Sequence, residues 1–171
     1  MFKTKEVFLE ILKELEKELI NNLSKKMNIE IKTPEEIKVK MDDIIGYENV
    51  KTKVTDSIKF LKEDKEIKEL RKKFEIENQY GVLLHGSRGN GKTQLVEAIA
   101  KKENLYYIRV LGKDLAGDYR NSVSDKIRLI FDECEKLSKM SSLRDGILLF
   151  FDEFEFLISE DNLSREVKGT L

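Results

Sequence analysis

An α/β fold, a parallel sheet flanked by helices, is predicted by three features of this 171-residue sequence. The first is GVLLHGSRGNGKTQLVEAIA, Gly81 to Ala100. A short apolar run (Val82, Leu83, Leu84) there leads into Gly86, four free positions and Gly91-Lys92-Thr93, and helical apolar spacing (Leu95, Val96, Ile99) follows. The second is a run from Ile147 to Phe151 that closes in Asp152-Glu153. The third is the order of patterns, strand, loop, helix, strand, helix, strand, which is the βαβ alternation of a parallel sheet with its ligand at the strand carboxyl ends.

Each residue type in G-x-x-x-x-G-K-[ST] serves phosphate binding. Glycines at Gly86, Gly89 and Gly91 let the backbone turn with its N–H groups inward, forming an anion-holding nest at the positive end of the next helix. The candidate phosphate-binding segment of this P-loop sheet is Gly86, Ser87, Arg88, Gly89, Asn90, Gly91, Lys92, Thr93 and Gln94. Lys92 is placed to reach the β- and γ-phosphates of ATP, and Thr93 to offer its hydroxyl to Mg²⁺. The bare pattern arises by chance in a chain this long with a probability on the order of one per cent. Asp152, at a strand end, is placed to hold the shell of the metal that Thr93 binds, and Glu153 to polarise an attacking water as general base.

Composition sets outer bounds. The chain is 38% charged and 40% hydrophobic, suited to one ordinary domain with a core of its own. A net charge of −1 supplies no global field to recruit nucleic acid or anionic lipid. No apolar run is long enough for a membrane span, and the first residues, MFKTKEVFLE, do not read as a secretory signal. The single cysteine, Cys134, permits no internal disulfide and fits a reducing cytoplasm.

Taken in order, Val7, Phe8, Ile11, Leu12, Leu15, Leu19, Ile20, Leu23 and Met27 recur at helical spacing from Phe2 to Met27. Amphipathicity alone does not say whether this helix packs on its own domain or pairs with another subunit. Asn28 is a plausible C-cap, and Thr33-Pro34-Glu35-Glu36 reads as the capped start of a second short helix. After Gly46, Val50, Val54, Ile58 and Leu61 mark a helix, which Ile67, Leu70 and Phe74 continue beyond a break near Asp64. Arg71 to Lys73 reads as a solvated face, and Glu75 to Tyr80 as a polar connection. Leu105 to Leu111 is a buried strand, Gly112 to Asn121 a loop, and Ser122 starts a helix with Val123, Ile127, Ile130, Phe131, Cys134 and Leu137 inward. Cys134 lies in that stripe, so it reads as a packing residue and not a nucleophile. The lone histidine, His85, stands at the mouth of the phosphate loop.

From about Met41 onward the chain resembles the AAA family of ATPases, which includes proteasomal regulatory ATPases, katanin-like severing enzymes and AAA proteases. Asp42-Asp43-Ile44-Ile45-Gly46-Tyr47-Glu48 is similar to the family's D-D-I-G-G-L-E opening. That resemblance implies that Ile45 and Gly46 contact adenine. The phosphate loop is similar to G-V-L-L-Y-G-P-P-G-T-G-K-T, with departures at Ser87, Arg88 and Asn90, and FFDEFEFL resembles F-[IF]-D-E-I-D-x-L, with Glu155 at the second acidic position. GKDLAGDYRNSVSDKIR, Gly112 to Arg128, is similar to G-S-E-L-x-x-x-Y-x-G-E-S-x-x-x-I-R. The alignment puts Tyr119 where family members carry the pore aromatic that grips a polypeptide, although Arg120, Asn121 and Ser122 depart from the pattern. Gripping a peptide and packing over its own helix are both open to Tyr119.

The resemblance implies an ATP- and Mg²⁺-dependent ATPase acting on a protein substrate as a homo-oligomeric ring. The competing expectation is a nucleotide-dependent assembly module with little hydrolysis. Residues 1–40 read as an N-terminal helical segment, and 41–171 as a partial nucleotide-binding domain that lacks the family's sensor, arginine finger and helical lid. The sequence accordingly reads as a fragment ending after the Asp152 strand, within a further helix from Ser164 to Leu171.

Overall fold

The computed structural model describes residues 2–61, 69, 73–74, 81–115, 123–139 and 146–155. The chain forms two compact units, Met1–Glu36 with Asn104–Leu171, and Ile37–Glu103.

In the first unit, α1 spans Phe2–Met27, and its apolar positions divide between two environments. Ile20 and Leu23 are buried, whereas Val7, Ile11, Leu15 and Leu19 are each about half exposed. Asn28 takes a left-handed φ of 53° as the helix ends. Ile29 N–H donates to the Ser24 carbonyl at 3.1 Å, and the Ser24 hydroxyl donates to the Ile29 carbonyl at 2.5 Å.

The sequence reading expects a helix soon after this point, but the chain makes a short strand and a turn. β1, Glu30–Lys32, runs antiparallel to β2, Tyr106–Leu111. The capping-box contacts at Thr33 do form: Thr33 N–H donates to Glu36 Oε2 at 2.9 Å, and Glu36 N–H to Thr33 Oγ1 at 3.4 Å. They close a turn that no helix continues. β2 also pairs in parallel with β3, Ile147–Asp152, so the sheet has the order β1-β2-β3 and is mixed, not wholly parallel.

The period of two along each strand sorts the side chains onto two faces. Ile31, Tyr106, Ile108, Val110, Ile147, Leu149 and Phe151 pack into one core with Leu23, Ile29, Leu115, Ile130 and Leu137. A four-residue helix, α4 (Gly112–Leu115), follows β2 where a loop is expected, because Leu115 turns inward and is 3% exposed. The next long helix, α5, is Val123–Ser138. Its stripe is as expected at Val123, Ile127, Ile130, Cys134 and Leu137, but Phe131 is 55% exposed.

The second unit holds a 3₁₀ turn at Met41–Asp43, then α2, Glu48–Leu61, and α3, Lys92–Lys102. Val54 and Ile58 of α2, and Leu95, Val96, Ala98, Ile99 and Ala100 of α3, are buried. The Lys101 ammonium donates to the carbonyl of buried Ile37. The apolar run before the phosphate loop is not a strand. Residues 81–87 form no regular secondary structure, and Val82 and Leu83 are 45% and 86% exposed. A strand exists by pairing its N–H and C=O groups with a neighbour; among the described residues none pairs with this run. The expected continuation at Ile67 and Leu70 and the helix at Ser164 lie outside the described residues.

Candidate functional site

Three segments expected to meet a nucleotide can be built from their own residues. In the phosphate loop, Gly86, Gly89 and Gly91 have φ of 150°, 80° and 74°, torsions closed to L side chains except at a steric penalty. Gly91 is the N-cap of α3, and its carbonyl accepts from Leu95 N–H at 2.8 Å. A Cβ on Gly91 would meet nothing nearer than Gln94 Oε1 at 3.9 Å, so torsion and not crowding demands the glycine. The Lys92 ammonium donates to the Gly86 and Ser87 carbonyls at 2.8 and 2.9 Å. The loop thus closes around its own cation at the positive end of a helix. Ser87, Arg88, Gly89, Asn90 and Gln94 are exposed around it, and Thr93 is half-buried in the first turn.

The segment expected to meet adenine is shaped by two consecutive left-handed residues, Gly46 (φ 78°) and Tyr47 (φ 60°). The Tyr47 carbonyl accepts from both Val50 and Lys51 N–H at 2.9 Å, which starts α2. The Lys51 ammonium donates to the Ile44 carbonyl at 2.6 Å and to Glu48 Oε1 at 2.8 Å, fixing the turn from the helix side. Ile45 and Gly46 help line an open concavity of about 570 Å³, together with Met41, Ile44, Thr52 and Lys102. Ile45 is 91% exposed there, an apolar side chain held in solvent. Loop residues 86–94 do not contribute to the walls.

The acidic pair lies where β3 ends. Glu153 has φ of 52°, and its N–H donates back to Asp152 Oδ1 at 3.0 Å. Its carboxylate is exposed. Asp152 Oδ2 accepts from Arg109 Nε at 3.0 Å and Nη2 at 2.6 Å. Arg109 is a site residue that the sequence reading missed. The signal was present: in YYIRVL one charge interrupts a buried strand, and a buried charge requires a partner. Glu30, directly opposite Arg109 across β1 and β2, adds a second carboxylate, with Oε2 3.5 Å from Nη1. Burial opposes the Arg109 charge, but Asp152, then Tyr107 and last Glu30 outweigh it and hold the guanidinium pKa above its usual range. Burial likewise pushes the Glu30 carboxyl up, but Lys32 and Arg109 prevail and hold it below the usual range.

The loop and the acidic pair belong to different units, so each half of the expected site stands on its own geometry. Tyr119 lies outside the described residues. Cys134 is partly buried, and burial, with the Glu133 charge, pushes its thiol pKa up to about 11.

Comparison with known proteins assigns this arrangement to a class. The model of the ATPase family associated with various cellular activities (AAA) matches residues 82–171, more than half of the chain. The chain belongs to the AAA family, and its small mixed sheet flanked by helices is a partial P-loop α/β fold. Among particular relatives, it is 33% identical over 151 residues to "Peroxisomal ATPase PEX6" of Arabidopsis thaliana, covering 86% of this chain and 15% of that protein. It is 34% identical over 108 residues to the proteasome-activating nucleotidase of Methanosphaerula palustris, covering 60% and 24%. With the ATP-dependent zinc metalloprotease FtsH of Streptococcus pneumoniae serotype 4 it shares 27% over 121 residues, covering 71% and 17%. The chain therefore spans at most about a quarter of these relatives. Among the described residues no helix is long and apolar enough to cross a membrane.

Proposed function

We propose that this chain binds ATP with Mg²⁺ and, within a homo-oligomeric AAA assembly in the cytoplasm, couples ATP hydrolysis to remodelling or threading of a protein substrate. The observation that carries the reading is the Lys92 ammonium held by the Gly86 and Ser87 carbonyls at the N-terminus of α3, a cation inside a nest of left-handed glycines. Residues Gly86 to Gln94 fit a polyphosphate, with backbone N–H groups and Lys92 as donors. Ile45 and Gly46 line the concavity suited to a planar base.

Thr93 and Asp152 are hard oxygen donors of the kind Mg²⁺ takes, and they are the residues that would hold it. Bound there, the ion supplies charge neutralisation at the phosphoryl oxygens. Glu153, exposed beside Asp152, accepts a proton from the attacking water, and its backbone N–H donates to Asp152 Oδ1, which orients the Asp152 carboxylate. The low net charge argues against nucleic acid as the substrate. Tyr119, on the segment after α4, is assigned to the protein substrate by family likeness. Glu153→Gln should keep ATP affinity and lower turnover by about 10²- to 10⁴-fold. Unchanged hydrolysis in single-turnover assays would remove Glu153 from this role.

A second reading, a nucleotide-dependent assembly module with little hydrolysis, is favoured by one contact. Arg109 already neutralises Asp152, the carboxylate on which the metal reading depends. ATP binding without turnover at saturating Mg²⁺ would select this reading.

A further inference from the structure

A row of alternating charges crosses the sheet on the face opposite the core and ends at Asp152. Lys32 Nζ lies 2.9 Å from Glu30 Oε1, Glu30 Oε2 lies 3.5 Å from Arg109 Nη1, and Arg109 Nη2 lies 2.6 Å from Asp152 Oδ2. The three strands place these groups together: Glu30 is the register partner of Arg109, and Asp152 lies two residues beyond the partner Phe150. The guanidinium therefore stands between two carboxylates, closer to the one at the strand end.

We infer that Arg109 is a built-in countercation for Asp152 that Mg²⁺ must displace, and that Glu30 is the carboxylate that retains the guanidinium once it is displaced. The inference rests on the nucleotide reading above and deepens it. Two cations on one carboxylate oxygen repel each other strongly at this distance, particularly where water is scarce, and the Asp152 side chain is only 14% exposed. Metal and guanidinium accordingly exclude one another at Oδ2. The second carboxylate makes the exchange reversible: moving toward Glu30 keeps the Arg109 charge paired while Asp152 is freed. Arg109 is then a positioning residue that sets the Mg²⁺ concentration at which Asp152 takes up the metal. The otherwise unremarkable strand β1, through Glu30, joins the nucleotide machinery.

The test is ATP binding by the 171-residue chain, followed with a fluorescent (mant) ATP analogue while free Mg²⁺ is raised from an EDTA-buffered baseline. Arg109→Gln should lower the Mg²⁺ midpoint roughly tenfold, since a repelling charge is gone. Arg109→Lys should stay near the parent, because the charge remains. Glu30→Gln should raise the midpoint roughly threefold, by removing the alternative partner. Opposite signs for the two neutralising variants are the signature, because simple loss of structure weakens binding in both. An Arg109→Gln midpoint equal to or above the parent, with ATP still bound, overturns this inference alone. ATP binding that ignores Mg²⁺ in the parent overturns it together with the metal role of Asp152, and no ATP binding at all overturns the nucleotide reading as well. Should circular dichroism show Arg109→Gln unfolded, Glu30→Gln decides: a raised Mg²⁺ midpoint with the parent's circular dichroism and its ATP affinity at saturating Mg²⁺ supports the exchange, and no rise, or a rise with weakened affinity at saturating Mg²⁺, ends it.

Discussion

Cys134 and Arg109 are both partly buried residues with reactive or charged ends, and their surroundings give them opposite fates. The thiol packs against the core beside Glu133, and its pKa of about 11 leaves roughly a thousandth of it as thiolate at pH 8. Iodoacetamide should therefore modify Cys134 slowly at pH 8, with the rate rising until the pH nears 11. A reactivity midpoint near pH 8.5 in a mass-spectrometric time course would contradict this assignment. Arg109 sits among carboxylates, so its charge is retained and organises two strands. The packing role of Cys134 is readable from its place in a helical stripe. The partners of Arg109 are not, because Glu30 and Asp152 lie far from it along the chain.

Pairing decides which apolar runs become strands. Tyr106–Leu111 has a neighbour on each side, and its register with both is continuous. Val82 to Leu84 has a comparable apolar character but no pairing partner among the described residues, and Leu83 stands 86% exposed. Amide hydrogen exchange should separate the two: Ile108 and Val110 should be protected up to the stability of their unit, and residues 82–85 should exchange within seconds to minutes at neutral pH. Strong protection at 82–85 would mean that this run is paired in solution. The long helices were legible, as Phe2–Met27 illustrates, because 3.6-residue periodicity is a local property, whereas the short helix expected at Thr33 is a turn and Gly112–Leu115 is helical where a loop is expected. β1 escaped because three residues carry too little pattern to distinguish a strand from a linker.

Titrating groups in the Met1–Glu36 with Asn104–Leu171 unit, Tyr106 and Cys134 partly buried and Glu30 at the surface, give that unit a defined pH range. The Tyr106 hydroxyl donates to Glu16, a glutamate only 7% exposed, and burial together with that neighbour pushes the tyrosine pKa far above its usual value. Raised values at Tyr106 and Cys134 mean that the folded form holds its protons more tightly than the unfolded chain. Their contribution is fully present below about pH 9 and is lost as pH rises through 9 to 11 and beyond. Glu30 acts with the opposite sign: its lowered value contributes stability above about pH 4.5 that disappears as pH falls. Urea midpoints measured across pH should thus form a plateau with both an acid and an alkaline edge. Tyr106→Phe should flatten the alkaline edge, and an unchanged edge in that variant would place its origin elsewhere.

Local chemistry alone, glycines where φ must be positive, a lysine after them and a carboxylate pair after an apolar run, was enough to point to a candidate phosphate loop and its helix, and likeness to motifs along the same stretches pointed to the AAA family. Those signals are carried by neighbours in the chain, so they can be read without knowing how it folds. The mixed sheet, the run before the loop that pairs with no strand among the described residues, and the Glu30–Arg109–Asp152 row depend on which distant segments become adjacent. Hydrogen-bond pairing and charge neutralisation across strands settle that adjacency, and no local pattern encodes it.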